Sequence, residues 1–325
     1  MPSRHLIDPE MAPLAEMPPL SFESASIEQV RELLAAMSPP APVLPPEIHV
    51  YEAHAPGRDG APDVRLVVTA PKAAGRGRPA ILHIHGGGFV LGSAEMTGAT
   101  DAVYADQLGA VVVSVDYRLA PETPFPGPVE DCYAGLAWLH GQAAALGVDP
   151  GRIVVTGESA GGGLAAALVL LAKHRGEHAV AFQHLVFPML DDRTVTHPDP
   201  SPYLGQFVWT PDANRFGWTS LLGQPPGAPD VSPFAAPARA SDLSGLPPTF
   251  MICGALDLFL EEDLDYARRL IRAGVPTELH VYPGAPHGFM FAPDAQLTRT
   301  FARDSMTALA RAVGVSPEGG PLRGA

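Results

Sequence analysis

The chain has 325 residues, of which 46% are hydrophobic, and carries a formal net charge of −14 at pH 7. This acidity argues against nucleic acid as a partner, because proteins that bind it usually present a basic face. No apolar run reaches the roughly 18 residues that a membrane-spanning helix needs, and the N-terminal residues lack the apolar stretch of a signal peptide. We therefore expect a cytoplasmic protein with one large α/β core.

The order of elements along the chain predicts the fold class. A Pro-rich start holds one helical pattern at Ile27 and Val30, with Ser26 and Gln29 spaced as a capping box. An antiparallel pair of strands follows, and strands then alternate with helices. The predicted strands are 47–51, 64–68, 80–85, 111–115, 152–156, 184–187, 249–253 and 277–282, and the predicted helices include 100–108, 129–146, 162–169, 263–273 and 297–313. This alternation predicts an α/β fold, a mostly parallel sheet with helices on both faces.

One segment, residues 190–245, breaks the alternation. It sets aromatic residues such as Trp209 and Trp218 among prolines, and it is too long for a connecting loop. We expect it to form an inserted cap that packs with the N-terminal segment 1–45. The core would then comprise residues 46–189 and 246–325.

The most informative motif is Gly157-Glu158-Ser159-Ala160-Gly161, which fits G-x-S-x-G. In this motif a sharp turn between a strand and a helix exposes the serine oxygen. A β-branched run precedes the motif and a run of small, helix-compatible residues follows it. Ser159 is therefore the candidate nucleophile. The sequence leaves open whether Glu158 tunes the site or only packs.

A serine hydroxyl needs a base to take its proton, and the base needs a group to orient it. The best acid is Asp257, which follows a predicted strand through a short turn, although it could instead cap the next helix. The best base is His287, in a loop of Gly and Pro just after the last strand; the rival His280 lies within that strand. The chain order Ser159, Asp257, His287 is that of the α/β-hydrolase triad.

Acyl transfer also needs N–H donors for the oxyanion of the tetrahedral intermediate. His85-Gly86-Gly87-Gly88 follows a predicted strand, as an HGGG loop does. We expect donors from Gly86, Gly87 and Gly88, with the N–H of Ala160 completing the hole.

Other interpretations of these residues are weaker. His83 and His85 could hold a metal, but no further ligand follows at close spacing, so no metal site is expected. The glycines lack the Lys of a phosphate loop and the spacing of a dinucleotide motif, so no cofactor is expected. Cys132 and Cys253 lie in apolar surroundings and are expected to be core residues.

Taken together, the motifs resemble the hormone-sensitive-lipase family of bacterial esterases over residues 45–313. The shared stretches are His85–Phe89, Asp116–Glu122, Phe125-Pro126, Glu130-Asp131, Asp149-Pro150, Gly157–Gly162, Pro188–Asp191 and Pro286–Phe289. The resemblance implies an α/β-hydrolase fold with an eight-stranded sheet and a mostly helical cap. It implies hydrolysis of short- to medium-chain acyl esters without a cofactor, and a possible homodimer. It also suggests that Arg118 and Glu130-Asp131 hold a loop through a buried ion pair.

Two departures leave details open. Leu258-Phe259-Leu260 stands where the family often has Pro-Leu-Arg, and Glu158 stands where Asp is frequent. Neither change removes a catalytic group, but both leave acyl preference undetermined. An amidase or peptidase on the same fold and a non-enzymatic receptor for a small ligand remain the alternatives. The sequence names neither the natural ester nor its enantiomer.

Overall fold

The computed structural model describes residues 2–18, 20, 22, 26–37 and 44–315. Parts of the two terminal segments named above, residues 1, 19, 21, 23–25, 38–43 and 316–325, therefore lie outside the described residues. Within the described part, eight strands form one sheet in the order β1-β2-β4-β3-β5-β6-β7-β8. The strands are β1 (Ile48–Ala55), β2 (Val64–Pro71), β3 (Arg78–Ile84), β4 (Val111–Val115), β5 (Val148–Glu158), β6 (Phe182–Val186), β7 (Thr249–Gly254) and β8 (Thr277–Tyr282).

Strand direction follows the prediction. β1 pairs with β2 and β2 with β4 in antiparallel fashion, while β3 to β8 pair in parallel. Parallel neighbours require crossover connections, and helices supply them. The helices are α1 (Ala12–Glu16), α2 (Ile27–Met37), α3 (Gly98–Leu108), α4 (Gly127–Leu146), α5 (Ala160–Arg175), α6 (Pro211–Leu222), α7 (Leu260–Arg272) and α8 (Gln296–Ala312).

The core divides between the two faces of the sheet, because successive strand residues point to opposite sides. Leu82 and Val155 pack in one cluster with residues of α4, α5 and α7. Ile81 and Val154 pack in the other, with residues of α3 and α8. The strands are buried on both faces of the sheet. Their sequences are therefore continuous apolar runs rather than alternating apolar and polar residues.

The N-terminal helix α2 begins with the predicted capping box. The Ser26 backbone N–H donates to Gln29 Oε1 at 3.0 Å, and the Gln29 N–H donates to Ser26 Oγ at 3.3 Å. These reciprocal bonds satisfy two N–H groups that lack partners inside the helix. Arg31, on the same helix, donates to the carbonyl oxygens of Val90 and Ala120 and so ties α2 to the core.

The inserted segment 190–245 has only α6 and two single turns of 3-10 helix, Thr194–Thr196 and Pro237–Arg239, as regular structure. The expectation of a mostly helical cap is therefore corrected for this segment, since loops make up most of it. Proline at many positions removes backbone donors and limits helix length. A bidentate ion pair between Arg239 and the buried Asp192 fixes the loops, with both N···O distances 2.7 Å.

No helix among the described residues has the length and apolar character needed to cross a bilayer.

Candidate active site

The turn at Ser159 joins the end of β5 to the start of α5. Ser159 has φ 56° and ψ −123°, a backbone conformation that non-glycine residues rarely adopt. The turn is possible because its flanking glycines leave room for backbone. A Cβ on Gly157 would lie 2.3 Å from the Gly161 carbonyl oxygen, and one on Gly161 would lie 2.0 Å from that of Ile84. The strand, turn and helix predicted for the G-x-S-x-G motif are all present.

The three side chains nominated from the sequence meet at this turn. His287 Nε2 lies 2.9 Å from Ser159 Oγ, and His287 Nδ1 lies 2.8 Å from Asp257 Oδ2. Asp257 is fully buried, and the exposed fractions of His287 and Ser159 are 6% and 8%. When Nδ1–H donates to Asp257, Nε2 presents its lone pair to the serine hydroxyl. This arrangement can deprotonate Ser159 as its oxygen attacks a carbon.

Each partner is held by the element that precedes it. Asp257 follows β7, and its second oxygen accepts the Phe259 backbone N–H at 3.0 Å. One carboxylate oxygen thus bonds the turn just ahead of α7, which is close to the helix-capping role considered as the alternative. The other oxygen faces the imidazole of His287. His287 follows β8, and the rings of Phe187 and Phe259 contact it edge-on, with centroids 4.8 and 5.0 Å away. These contacts restrict the imidazole to the orientation that reaches Ser159.

The rival His280 points elsewhere. It lies in β8, 2.9 Å from Glu278 and 3.3 Å from Asp304, as expected for a structural residue.

The glycine loop, residues 86–88, follows β3 and lies against the turn at Ser159. A Cβ on Gly86 would be 3.4 Å from the Cβ of Ser159. Gly87 and Gly88 have φ of 119° and 61°, which favour glycine. Among the described residues, no turn or loop hydrogen bond uses the N–H of Gly87 or Gly88. Ala160 is the first residue of α5, so its N–H has no acceptor within the helix. These N–H groups are free to bind an anionic oxygen.

Trp209 covers the glycine loop from the inserted segment. A Cβ on Gly88 would lie 2.2 Å from Cη2 of the indole, so the ring packs directly on this glycine. The indole N–H donates to Asn214 Oδ1 at 3.1 Å, which fixes the ring, and the ring centroid lies 6.4 Å from that of His287. Sequence reasoning identified Trp209 only as one aromatic residue of the insert. Its contact with Gly88 joins the insert to the glycine loop.

A second buried histidine, which sequence reasoning did not assign to the site, contacts the residue before Ser159. His83 of β3 is fully buried, with Nδ1 2.6 Å from Asp101 and Nε2 2.8 Å from Glu158. Burial acts to lower the pKa of His83, but the carboxylates of Glu158 and Asp101 outweigh it and raise the pKa to about 10. The imidazole therefore carries a charge at neutral pH. Both ring nitrogens of His83 are bonded to carboxylates.

His85 fills a different role. Its Nδ1 lies 2.8 Å from the Gly86 carbonyl oxygen, and its ring stacks on Tyr117 with centroids 4.2 Å apart. The Tyr117 hydroxyl donates to the His85 carbonyl oxygen at 3.0 Å. Burial lowers the pKa of His85, so the ring is neutral and acts as a support for the glycine loop.

The ion pair expected at Arg118 is present. The guanidinium binds the buried Asp131 in bidentate fashion, with N···O distances of 2.8 and 2.7 Å, and the Arg118 backbone N–H donates to the same carboxylate at 2.9 Å. Glu130 pairs separately with Arg175 at 2.6 Å. Cys132 and Cys253 are free and buried, as the sequence predicts.

Comparison with known proteins agrees with this architecture. A family model described as alpha/beta hydrolase fold matches residues 81–291. Carboxylesterase NlhH of Mycobacterium tuberculosis is 35% identical over 292 residues, which cover 87% of this chain and 89% of the relative. An ethyl acetate hydrolase of Pseudomonas putida is 34% identical, with coverage of 65% and 66%.

Solved structures give the same result over nearly the whole chain. A bacterial heroin esterase superposes with a TM-score of 0.90 at 40% sequence identity, covering 95% of this chain and 98% of its own. The likeness in sequence and in structure therefore extends over most of the chain. The chain belongs to the hormone-sensitive-lipase family of α/β hydrolases and is a carboxylic ester hydrolase.

Proposed function

We propose that the chain hydrolyses short- to medium-chain acyl esters through an acyl-enzyme intermediate on Ser159. The observation that carries the proposal is the unbroken line of contacts from Asp257 through His287 to Ser159 Oγ, at 2.8 and 2.9 Å. A serine hydroxyl in such a line becomes a nucleophile at neutral pH, because the imidazole accepts its proton in the transition state.

In the first half of the reaction, Ser159 Oγ bonds to the ester carbonyl carbon while its proton moves to His287 Nε2. Asp257 stabilises the imidazolium through Nδ1–H. The carbonyl oxygen becomes an oxyanion that accepts from the N–H groups of Ala160 and the glycine loop, Gly86 to Gly88. His287 then returns the proton to the alkoxide oxygen, the C–O bond breaks and the alcohol leaves.

In the second half, water attacks the acyl-serine and gives one proton to His287. A second tetrahedral intermediate forms, and its oxyanion accepts hydrogen bonds from the same N–H groups. When it collapses, the bond between the acyl carbon and Ser159 Oγ breaks and His287 restores the serine proton. The products are a carboxylic acid and an alcohol, and the enzyme returns to its starting state with no cofactor needed.

Substrate choice is assigned to a cap made of residues 1–45 and 190–245, over a core made of 46–189 and 246–325. Two contacts support this division. The rings of Phe22 and Phe216, from the two cap segments, stack with centroids 4.3 Å apart. Trp209 lies on Gly88, where it limits the space beside the oxyanion. A close aromatic wall favours short acyl groups, and the relative from P. putida is named for a two-carbon acyl ester.

The alternatives are disfavoured for specific reasons. An amidase must expel a worse leaving group, and the relatives compared above are named for esters. A receptor without activity has no need for an intact proton relay, whereas His287 here contacts both Ser159 and Asp257.

Assembly and location form a lesser part of the proposal, which includes a homodimer in the cytoplasm. β8 lies at the edge of the sheet, and Val281 on it is 40% exposed. An exposed edge strand offers unpaired backbone groups to a second chain. Light scattering across a range of protein concentrations tests the dimer, and fractionation of cells tests the location.

The decisive experiment compares Ser159→Ala with Ser241→Ala, a change at an exposed serine outside the site. Ser159→Ala should lower kcat for p-nitrophenyl butyrate by about 10⁴-fold or more and abolish fluorophosphonate labelling. Ser241→Ala should match the unaltered enzyme in both. Retained activity in Ser159→Ala would reject the nucleophile. A series of p-nitrophenyl esters tests the substrate class, and a maximum at long acyl chains would reject the short pocket.

A further inference from the structure

Beside the proposed triad, β3, α3 and β5 bring together a second line of acid, imidazole and acid. Asp101 Oδ1 lies 2.6 Å from His83 Nδ1, and His83 Nε2 lies 2.8 Å from Glu158 Oε1. Asp101 is 1% exposed, His83 is fully buried, and the Glu158 side chain is 17% exposed. Glu158 immediately precedes Ser159. The line therefore ends one residue from the nucleophile.

The outer end of the line is anchored. The Thr97 and Ser114 hydroxyls donate to Asp101 Oδ2, at 2.8 and 2.6 Å. With His83 on the other oxygen, the carboxylate accepts three hydrogen bonds, from β3, from β4 and from the turn before α3. Such a buried acceptor fixes the orientation of the imidazole through Nδ1. A carboxylate orients a catalytic or metal-bound histidine in the same way, by bonding the ring nitrogen that faces away from the reacting group.

The inner end of the line, Glu158, contacts both the glycine loop and the turn that carries Ser159. The Glu158 carbonyl oxygen would lie 2.9 Å from a Cβ on Gly86, so the Glu158 backbone packs on the first glycine of the loop. The Ser159 N–H donates to the Val186 carbonyl oxygen at 2.9 Å, and Met189 N–H donates to the Ser159 carbonyl oxygen at 2.9 Å. The nucleophile turn is thus held by backbone bonds from the β6 side and by a side-chain bond from the β3 side.

We propose that His83 is a positioning residue for ester hydrolysis: held by Asp101, it fixes Glu158 and thereby sets the distance between Ser159 and the glycine loop. Because His83 lies three residues before Gly86 on the same strand end, one imidazole couples the two loops that must hold a single tetrahedral intermediate. Displacing a reacting group by about 1 Å can cost 100-fold in rate. This inference rests on the proposed function, and it adds residues that never touch substrate.

The groups facing His83 define its charge. Glu158 of β5 and Asp101 of α3 are bonded to it, Tyr104 of α3 lies with its ring centroid 6.1 Å away, and the imidazole of His184 on β6 is close enough to interact electrostatically. Burial lowers the pKa of His184 to about 3, so His184 is neutral. The two carboxylates keep the His83 imidazolium charged, with both ring nitrogens protonated.

The test compares Glu158→Ala, which removes the acceptor, with Glu158→Gln, which keeps an oxygen for His83 Nε2–H. Glu158→Ala should lower kcat about 10- to 100-fold with KM within about twofold of the unaltered enzyme. Glu158→Gln should recover most of that loss. Glu52→Gln, an exposed glutamate of β1, is the matched control and should leave both constants unchanged.

Nitrogen-15 NMR of the imidazole rings supplies a readout that altered stability alone does not move. His83 should show two ring N–H groups at pH 8.5 in the unaltered protein and lose one in Glu158→Ala. Should Glu158→Ala not fold, Asp101→Ala removes the acceptor at the outer end and should also lower kcat with KM unchanged.

Three results would overturn the proposal: wild-type kcat in a folded Glu158→Ala or Asp101→Ala, equal loss in Glu158→Ala and Glu158→Gln, or a His83 that lacks one of its two ring N–H groups at pH 8.5 in the unaltered protein. An active Ser159→Ala would instead overturn the proposed function, so the two failures are distinguishable.

Discussion

His287 Nε2 lies 2.9 Å from Ser159 Oγ, although 128 positions separate the two residues in the chain. The contact forms because β5 and β8 run in parallel and end at the same edge of the sheet, where the loops after the strands converge. Asp257, from the loop after β7, enters from the same edge. The residues next to Ser159 and His287 in the chain do not create this contact. The order of the strands in the sheet brings the two loops together.

Asp257→Asn should lower kcat on the order of 10⁴-fold while the fold survives, because the amide no longer stabilises the imidazolium and favours the wrong tautomer of His287. The measurement is kcat for p-nitrophenyl butyrate alongside a circular dichroism spectrum. Asp294→Asn makes the same chemical change at an exposed position and should leave kcat unchanged. An active, folded Asp257→Asn would remove this carboxylate from the mechanism.

Gly88→Ala should abolish most activity, because the new Cβ would lie 2.2 Å from the Trp209 ring and push the glycine loop from its place. Loss of one oxyanion donor alone costs about 3 kcal/mol of transition-state stabilisation. Gly109→Ala is a close control, since Gly109 has φ 62° against 61° for Gly88 but no atom within 4 Å of its Cβ position. It should lower stability through backbone strain and leave kcat intact.

The steric cause of the Gly88→Ala effect has its own check. Adding Trp209→Ala removes the ring that the methyl group meets, so the double variant should be more active than Gly88→Ala alone. If it is no more active, the left-handed backbone at Gly88, and not the contact with Trp209, accounts for the loss.

The sequence was sufficient to predict features whose pattern lies within a single strand, helix or motif. The β-branched run before Ser159 predicted a strand because strands buried on both faces are continuously apolar, and the observed β5 extends it to Val148–Glu158. The contact among Ser159, Asp257 and His287 was predictable because residues in this chain order at strand ends meet in the α/β-hydrolase fold. The capping box was predictable because a three-residue spacing at a helix start lets the Ser26 and Gln29 side chains each accept from the other residue's backbone N–H.

Contacts between distant elements were not predictable in this way. His83, Asp101 and Glu158 lie on three elements, and no spacing in the chain links them. One signal was present: an imidazole within a strand expected to be buried must have hydrogen-bond partners. The contact of Trp209 with Gly88 depends on how a loop-rich insert folds over the sheet, and neither periodicity nor motif describes such a path.

Asp131→Asn should lower the free energy of unfolding by about 1–3 kcal/mol, because it removes the charged partner of Arg118, whose side chain is 34% exposed and keeps part of its hydration. The Asn side chain also keeps only one acceptor oxygen, so it cannot accept all three of the hydrogen bonds that Arg118 donates to Asp131. Asp265→Asn breaks an exposed ion pair with Arg268, in which both side chains are at least 50% exposed, and should cost under about 1 kcal/mol. Urea denaturation of both variants measures the difference, and similar costs for the two would contradict a structural role for the buried pair.

The charge on His83 should make stability depend on pH above neutrality. Burial opposes this charge, but Glu158 and Asp101 outweigh it and raise the pKa from 6.5 to about 10. Between these values the folded protein holds a proton that the unfolded chain has released. The contribution to stability is therefore complete below pH 6.5, declines as pH rises, and is lost once pH passes about 10.

The free energy of unfolding should accordingly fall from pH 7 to pH 10 more steeply in the unaltered protein than in His83→Gln, which has no proton to lose at this position. His184 does not disturb the comparison, because burial lowers its pKa to about 3, so it is neutral in the folded state of both proteins, and its unfolded state is the same in both. Urea titrations at four pH values give the two slopes. Parallel slopes would mean that His83 is uncharged in the folded protein, and the bond to Glu158 would then be an ordinary hydrogen bond rather than an ion pair.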